Sequence, residues 1–482
     1  MMNIKILLPL ILLIFMGGLL KAQNKKPNII LIMADDLGYG DLSSYGSTII
    51  KTPNLDNLAS SGIKFTDFHS NGMVCTPTRA ALMTGRYQQR TGLSEVVSVR
   101  WHHGIGLDQK EITFAEILKK AGYKTALFGK WHLGTEPKYN PIHQGFDEFI
   151  GFTGGNVDYF SHLNLNRELD WWHMEKLKDE PGYQTEIITQ HAINYIKKAD
   201  DQPFCLYIPF GAPHTPNQGP YSKVERVPAH LSKEQQKIFR DSINKTIPSP
   251  PKGYELAEDS TEQFLQISVE MVEYLDVSIG KIISQLNKSN LLENTIVIFI
   301  SDNGPRKKLS AGPYRGGKGS LYEGGHRLPC IVSWPAKIKG GITSSETIMT
   351  MDFLPTFASI AQAKMPNNLL IDGIDISNHL INCKKLPTRN FYWAKSNGKA
   401  VRYGDWKLIE NSNKSKELYN LNNDIEESNN IANSNPEIVS KLSDKLNKWY
   451  GKVTEGVEQI TPHAIIAKEQ KKKNQAAKKG AH

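Results

Sequence analysis

Cysteine is scarce here: four residues among 482. Cys75, Cys205, Cys330 and Cys383 are too few to staple a chain of this length, and their spacings match no zinc pattern. Neither a disulfide scaffold nor a structural zinc site is expected. The apolar run Ile6 to Leu20, preceded by Lys5, is short for a membrane span. With Leu20-Lys21-Ala22 behind it, residues 1–22 read as a cleaved export signal, leaving a periplasmic or secreted protein with no stable membrane insertion. No cysteine lies near the cleavage point, which argues against a lipid-attached form. Net charge on the body is also lacking. Of the formal +9, Lys5 and Lys21 carry two and residues 466–482 carry a net five, so +2 remains. The basicity belongs to a solvated Lys/Gln/Ala tail, and a nucleic-acid-binding face is excluded. No internal repeat is present.

What is present is an ordinary globular composition, 39% hydrophobic and 22% charged, long enough for a large domain and a smaller one. Short, nearly continuous apolar runs alternate with helical patterns. Asn28 to Ala34 ends at Asp35-Asp36, and Thr125 to Phe128 at Gly129-Lys-Trp-His132. Phe204 to Phe210 ends near His214, and Thr295 to Ile300 at Ser301-Asp302-Asn303. Helices are expected over Phe114–Ala121, Gln184–Lys198 and Thr261–Asn287. This predicts an α/β fold with a large, mostly parallel sheet flanked by helices. Ligands gather at the carboxyl ends of such strands, so four polar strand ends suggest one site. From about residue 385 the texture changes. Phe391 to Ala394, Lys399 to Ile409 and Glu417 to Leu421 read as short antiparallel strands. Asn435-Pro436 then opens a helix with Ile438, Val439, Leu442, Leu446 and Trp449 on one face. The expected organisation is residues 1–22 signal, 23–384 main α/β domain, 385–465 small α+β domain and 466–482 disordered tail.

Asp35, Asp36, Asp302 and Asn303 are oxygen donors from two distant strand ends. Each pair alone suits a cap or a turn; together they suit a hard divalent cation, calcium or magnesium. Cys205 and Cys330 lie in apolar strands and read as buried small hydrophobes. Cys75 differs. In Cys75-Thr-Pro-Thr-Arg79-Ala-Ala-Leu-Met-Thr-Gly-Arg86, Pro77 suits a first helical turn, which puts Cys75 at a helix N-terminus that favours an anion.

The Cys75-x-Pro77-x-Arg79 segment through Thr84-Gly85-Arg86 resembles the signature of the type I, arylsulfatase-like sulfatases. The resemblance extends over most of the chain. It takes in Pro27-Asn-Ile with Asp35-Asp36-Leu-Gly-Tyr-Gly40, Gly129-Lys-Trp-His-Leu-Gly134 and Ala212-Pro-His-Thr-Pro216. It continues through Ser301-Asp-Asn-Gly304, Arg315 to Gly325 and Glu417-Leu-Tyr-Asn-Leu. Six motifs in order are specific. Departures are Thr76 and Thr78, where serine is commoner, and His326 in place of an aliphatic residue; His326 is a candidate for lining a substrate cleft. The resemblance implies an alkaline-phosphatase-like fold and conversion of Cys75 to 3-oxoalanine (formylglycine) by a separate maturing enzyme. It implies Ca2+ held by Asp35, Asp36, Asp302, Asn303 and the modified residue 75. By the same resemblance, the hydrated aldehyde would attack sulfur and later expel sulfate. Arg79 and Lys130 would stabilise the hydrate and metal site, and His132 would deprotonate the second hydroxyl. His214 would serve as general acid and Lys318 as charge clamp at the sulfate.

His102, His103, His162, His173 and His326 are candidate sugar contacts, though packed or surface positions are commoner for histidine. Trp171-Trp172 is either a sugar platform or core. The expected substrate is a sulfated oligo- or polysaccharide. The Asn/Lys/Ile-rich composition reads as an exported bacterial protein, which favours algal glycans (ulvan, carrageenan or fucan) over glycosaminoglycans. The rivals are a phosphoester or phosphonate hydrolase on the same fold, and a non-catalytic sulfoglycan-binding protein.

Overall fold

The computed structural model describes residues 25–463 and 465–471. The expected export signal and residues 472–482 of the basic tail lie outside the described residues, while 465–471 are helical. The strands of the large sheet are β1 (Asn28–Ala34), β2 (Ile63–His69), β3 (Lys124–Lys130), β4 (Glu148–Phe152), β5 (Trp172–His173), β6 (Lys176–Leu177), β7 (Phe204–Pro209), β8 (Thr295–Ser301), β9 (Arg327–Ser333), β10 (Ile342–Ser344) and β11 (Ile348–Met349). Their order is β10-β2-β9-β8-β1-β7-β3-β4-β5-β6, with β11 beside β2. The central run β8-β1-β7-β3-β4 is parallel throughout. The antiparallel exceptions are β9 against β8 and β2, and the β4-β5-β6 edge.

Every residue of β1 is buried, as a strand apolar from Ile29 to Ala34 at the middle of a parallel sheet requires. Its side chains alternate between two cores. Ile29, Leu31 and Met33 face a layer with α2 (Cys75–Thr84), α3 (Phe114–Lys120) and α7 (Phe353–Ile360). Ile30, Ile32 and Ala34 face a layer with α1 (Pro53–Ser60), α4 (Gln184–Lys197) and α6 (Ser260–Lys288). The remaining helices are α5 (Lys233–Asn244) and α8 (Ser377–Asn382). Local signals set the helix ends. Thr113 and Glu116 form a reciprocal capping box before α3, and Asp259 accepts from Thr261 and Glu262 N–H at the start of α6.

The C-terminal unit is a four-stranded antiparallel sheet, β12 (Asn390–Lys395), β13 (Gly398–Tyr403), β14 (Trp406–Asn411) and β15 (Lys416–Asn420), covered by α9 (Pro436–Thr454). The Lys399–Ile409 run is thus a hairpin turning at Gly404-Asp405. Pro436 occupies the first turn of α9, but Asn435 does not cap it: its side chain donates to the Ile431 carbonyl. This unit shares a core with the main domain through Met73, Ala81, Tyr87 and Met349. Beneath it lies a buried ionic cluster. Arg402 pairs with both oxygens of Asp67 at 2.8 and 2.9 Å. Lys407, fully buried, bridges Glu323 at 2.9 Å and Glu427 at 2.8 Å. His326 belongs to this cluster and not to a substrate cleft. It stacks on Trp393 with centroids 4.1 Å apart and shares a 2.9 Å hydrogen bond with His69. Burial and the neighbouring Lys407 hold it well below the usual histidine range, so it stays neutral.

Removing the lysine leaves two carboxylates facing each other out of water. K407M is therefore expected to lower stability by about 3–5 kcal/mol, read as an earlier urea midpoint, with partial recovery in K407M/E427Q. A K407M protein as resistant to urea as the parent would show that the bridge contributes nothing.

Candidate active site at the strand ends

Register brings the acids together. Ala34 of β1 lies opposite Ser301 of β8, so Asp35 and Asp36 leave the sheet beside Asp302 and Asn303. Asp36 N–H donates to Asp302 at 3.2 Å, and the Asn303 amide donates to Asp36 at 2.8 Å. β7 and β3, the next two strands, deliver His214 and Lys130-Trp131-His132. Gly129 permits that close approach: its φ is +130°, and a Cβ would fall 2.0 Å from the Pro209 carbonyl oxygen.

Cys75 is the first residue of α2, whose ten residues are all buried. Gly85, in the left-handed conformation, ends the helix by donating to the Ala81 carbonyl at 2.9 Å. The Cys75 Sγ lies 3.6 Å from Asp35 Oδ1 and 3.6 Å from Lys318 Nζ. The Lys318 turn is pinned on both sides, with Lys318 N–H donating to Pro305 and Gly319 N–H to Met73, just before Cys75. Arg79, one turn along α2, holds Asp302 through Nε at 3.1 Å and a terminal nitrogen at 2.8 Å, and donates to the Lys130 carbonyl.

Three acids and three cations therefore share one buried volume. Lys130 reaches Asp35 at 2.5 Å, and Lys318 reaches Asp36 at 2.6 Å. Burial works against the Asp36 charge, but Lys318 and His214 outweigh it and hold the carboxyl well below its ordinary value. At Asp302 burial and the facing Asp35 win, pushing it up. Asn303 Oδ1 is buried without a hydrogen-bond partner. Converging carboxylates, one of them electrostatically unfavourable, beside an orphan amide oxygen make an all-oxygen donor set that fits a hard divalent cation. Asp36 and His132 both adopt left-handed backbone conformations, with φ of 68° and 58°. Such strain costs on the order of 1–3 kcal/mol per residue and collects at functional sites.

His132 Nε2 is 2.9 Å from the Val97 carbonyl, which fixes it as the donor, and leaves Nδ1 as a buried acceptor with no partner. Burial, then Lys130 and Arg79, hold this ring neutral. Gly155 makes room for it, since a Cβ there would lie 2.8 Å from the ring. Thr76 touches no reacting group, yet it donates to the His132 carbonyl and accepts from Val97 N–H. His214 Nε2 faces Asp36 at 3.6 Å, and burial with Lys318 lowers its pKa to about 3. The His214 and Lys318 side chains keep 13% and 25% exposure, and the rest of the set is nearly sealed. Access is therefore from their side.

Cys75, His132, His214 and Lys318 line one cavity of about 280 Å³. Its rim holds residues to which no motif pointed: Arg100 and Trp101 from a loop, Asn156, Asn164, and His463 from the chain's last described stretch. Of the five histidines considered as sugar contacts, none lines it. His102 ties Ser98 N–H to the Thr461 carbonyl, and His103 is exposed. His162 stacks under Trp171 with centroids 4.4 Å apart, His173 pairs with Glu180, and His326 is buried under the C-terminal sheet. Trp171 is fully buried core, and Trp172 donates to Asp170. The tryptophan on the cavity is Trp101.

Comparison with known proteins places the chain in a family. A family model described as Sulfatase matches residues 27–363, and one described as N-sulphoglucosamine sulphohydrolase, C-terminal, matches 317–452. Human arylsulfatase A is 34% identical over 427 residues, covering 81% of this chain and 75% of its own. The crystal structure of Ps i-CgsB with k-i-k-neocarrahexaose superposes with a TM-score of 0.77 at 30% identity, covering 90% of this chain and 95% of that one. A protein solved with its substrate D-glucosamine-2-N,6-O-disulfate gives a TM-score of 0.68 at 25% identity, covering 90% and 99%.

Burial, against the pull of Lys130 and Lys318, pushes the Cys75 thiol up to about 12, and burial raises Cys205 and Cys330 too; Cys383 is exposed. An encoded thiol at position 75 is thus a protonated, inert group. Folded protein that retains the thiol should react with iodoacetamide at Cys383 alone, by peptide mass spectrometry, and at all four cysteines once unfolded. Labelling of Cys75 at the rate of Cys383 would contradict this environment.

Proposed function

This chain belongs to the sulfatase family of sulfuric ester hydrolases, and we propose that it desulfates a sulfated carbohydrate with a formylglycine made from Cys75 and a bound calcium ion. The observation that carries the reading is the convergence of Cys75, three cationic side chains and an all-oxygen donor set at one set of strand ends. Asp35, Asp36, Asp302 and Asn303, with the modified residue 75, would hold the calcium. The ion would supply Lewis-acid charge, and the hydrated aldehyde the attacking oxygen. The Cys75 Sγ stands in for that modified side chain.

The chain's own residues do the rest. Lys318 and His214, the most open members of the set, receive the sulfate ester. Lys318 offsets charge that builds on the sulfuryl oxygens, and Arg79 and Lys130 fix the acids behind residue 75. A bound sulfate ester screens His214 from Lys318, which raises its proton affinity and lets it protonate the departing alcohol oxygen. His132, with its Nδ1 lone pair free, accepts the proton that residue 75 gives up as sulfate is expelled. With Cys75 only 1% exposed, the maturing enzyme acts before the fold closes, and the export signal then delivers the enzyme to the periplasm or beyond.

Algal polysaccharide fragments, of the ulvan, carrageenan or fucan type, are the proposed substrates. The similarity to a protein crystallised with a neocarrahexaose supports a glycan of this kind. Glycosaminoglycan fragments are the second reading, favoured by the glucosamine disulfate bound in another relative.

Desulfation of defined oligosaccharides from the three algal glycans and from glycosaminoglycans is expected to give turnover on a sulfated sugar. Faster turnover of a matched phosphate ester would overturn the assignment. Peptide mass spectrometry of natively secreted protein should find formylglycine at position 75, and an unmodified thiol throughout would end the mechanism. K318A should lower kcat/KM by about 10²–10³ and H214A by about 10²–10⁴. Loss smaller than tenfold in either would remove that residue from the chemistry.

A further inference from the structure

A second cavity, of about 710 Å³, lies between the C-terminal sheet and the main domain. It adjoins the active-site cavity along three stretches of chain. Glu95 lines the large cavity and Val96 the catalytic one. Residues 459–462 line the large one and His463 the catalytic one, so a single strand of chain is their common wall. That wall is fixed, because Ile460 N–H donates to Gly92 O at 2.9 Å and the Gln459 amide to Gln89 O at 2.8 Å. On the third side a Cβ on Gly319, next to Lys318, would lie 3.2 Å from Lys395 Nζ.

The lining is cationic and hydrogen-bonding. Lys395, Lys399, Lys414 and Lys416 come from the β12–β15 sheet, against Glu95 and Glu410. Both glutamates are engaged: Glu95 accepts from Ser396 N–H, and Glu410 from Ser443 and Lys416. Lys399 bonds Asn447 and lies over the Tyr450 ring, 4.9 Å from its centroid. Lys395 and Lys414 have no side-chain partner among the described residues. Two unpaired ammonium groups, an aromatic face and amides in an open groove suit a sugar chain that carries anionic groups.

We propose that this groove binds the sulfated glycan beyond the residue being desulfated, so that the enzyme engages several sugar units at once, with Lys395 and Lys414 contacting their anionic groups. The inference rests on the sulfated-carbohydrate reading. The catalytic cavity, at about 280 Å³ just below the roughly 300–1,000 Å³ usual for ligand sites, leaves little room beyond the reacting sugar. The larger groove adjoins it across the wall formed by residues 459–463.

The test is K395A/K414A, assayed on di- and hexasaccharides of whichever glycan the panel shows to be desulfated, and on 4-nitrophenyl sulfate. The parent should show kcat/KM at least tenfold higher on the hexasaccharide than on the disaccharide. The double variant should lose most of that gain, through KM, and fall at least fivefold further on the hexasaccharide than on the aryl ester. No length dependence in the parent, or an equal fall on both substrates, would overturn the proposal. If the parent cleaves the aryl sulfate but no carbohydrate, the substrate reading fails by itself. The groove is then judged by calorimetric binding of low-mass dextran sulfate to C75A protein. K395A/K414A should weaken that binding at least fivefold more than K120A/K364A, which removes two lysines from another surface hollow. Equal weakening by the two pairs would refute the site.

Discussion

Two acids are forced together because β1 and β8 are parallel neighbours in register. Asp35 and Asp302 have no alternative but to share a water-poor corner, and the rest of the site follows from that crowding. Arg79 rises from α2 to hold Asp302, Lys130 from β3 to meet Asp35, and Lys318 from a glycine-rich turn to meet Asp36. Each cation comes from a different element, so the charge balance also sets the relative positions of α2, β3 and that turn. Cys75 sits where all three meet. The packing that buries these charges also raises its thiol, which makes the encoded side chain chemically idle as a nucleophile.

The C-terminal unit stands in a different relation to the chemistry. It contributes none of the buried acids, yet it is bonded into the main domain by Arg402–Asp67 and by Lys407 between two glutamates. A buried ion pair is a weak source of stability compared with apolar packing, but its geometric demands are strict. Here they fix how the antiparallel sheet lies against the loop that carries Lys318. The outer wall beside the catalytic cavity is therefore as well positioned as the inner one.

The strand ends were legible in the sequence because one short run encodes both facts that matter. A continuous apolar stretch declares a buried parallel strand, and the polar residues after it declare where the strand stops. Helix bounds followed to within a residue or two for the same reason: α3, α4 and α6 carry regular apolar faces. Single residues away from such patterns were not legible. His326 could not be told from a cleft residue, since only the tertiary fold puts Trp393 and Lys407 around it. Trp171 and Trp172 read equally as a platform or as core, whereas the cavity tryptophan, Trp101, sits in an unremarkable loop. His463 carries no local signal at all, because its place depends on the return of the chain after α9.

The central position of β1 has a consequence for how the protein is made. Among the described strands it is the first to emerge, yet both its edges are satisfied by β7 and β8, whose pairing partners lie 176 and 267 residues later, as Ile29 with Cys205 and Ile29 with Ile296. At about 5–20 residues per second, the wait for β8 is on the order of 13 to 50 s. During that interval an apolar strand with two open edges is a template for pairing with other chains. Whatever keeps the nascent chain unfolded over that interval protects it from aggregation, and it also leaves the segment around Cys75 extended and accessible for longer than the finished structure would suggest.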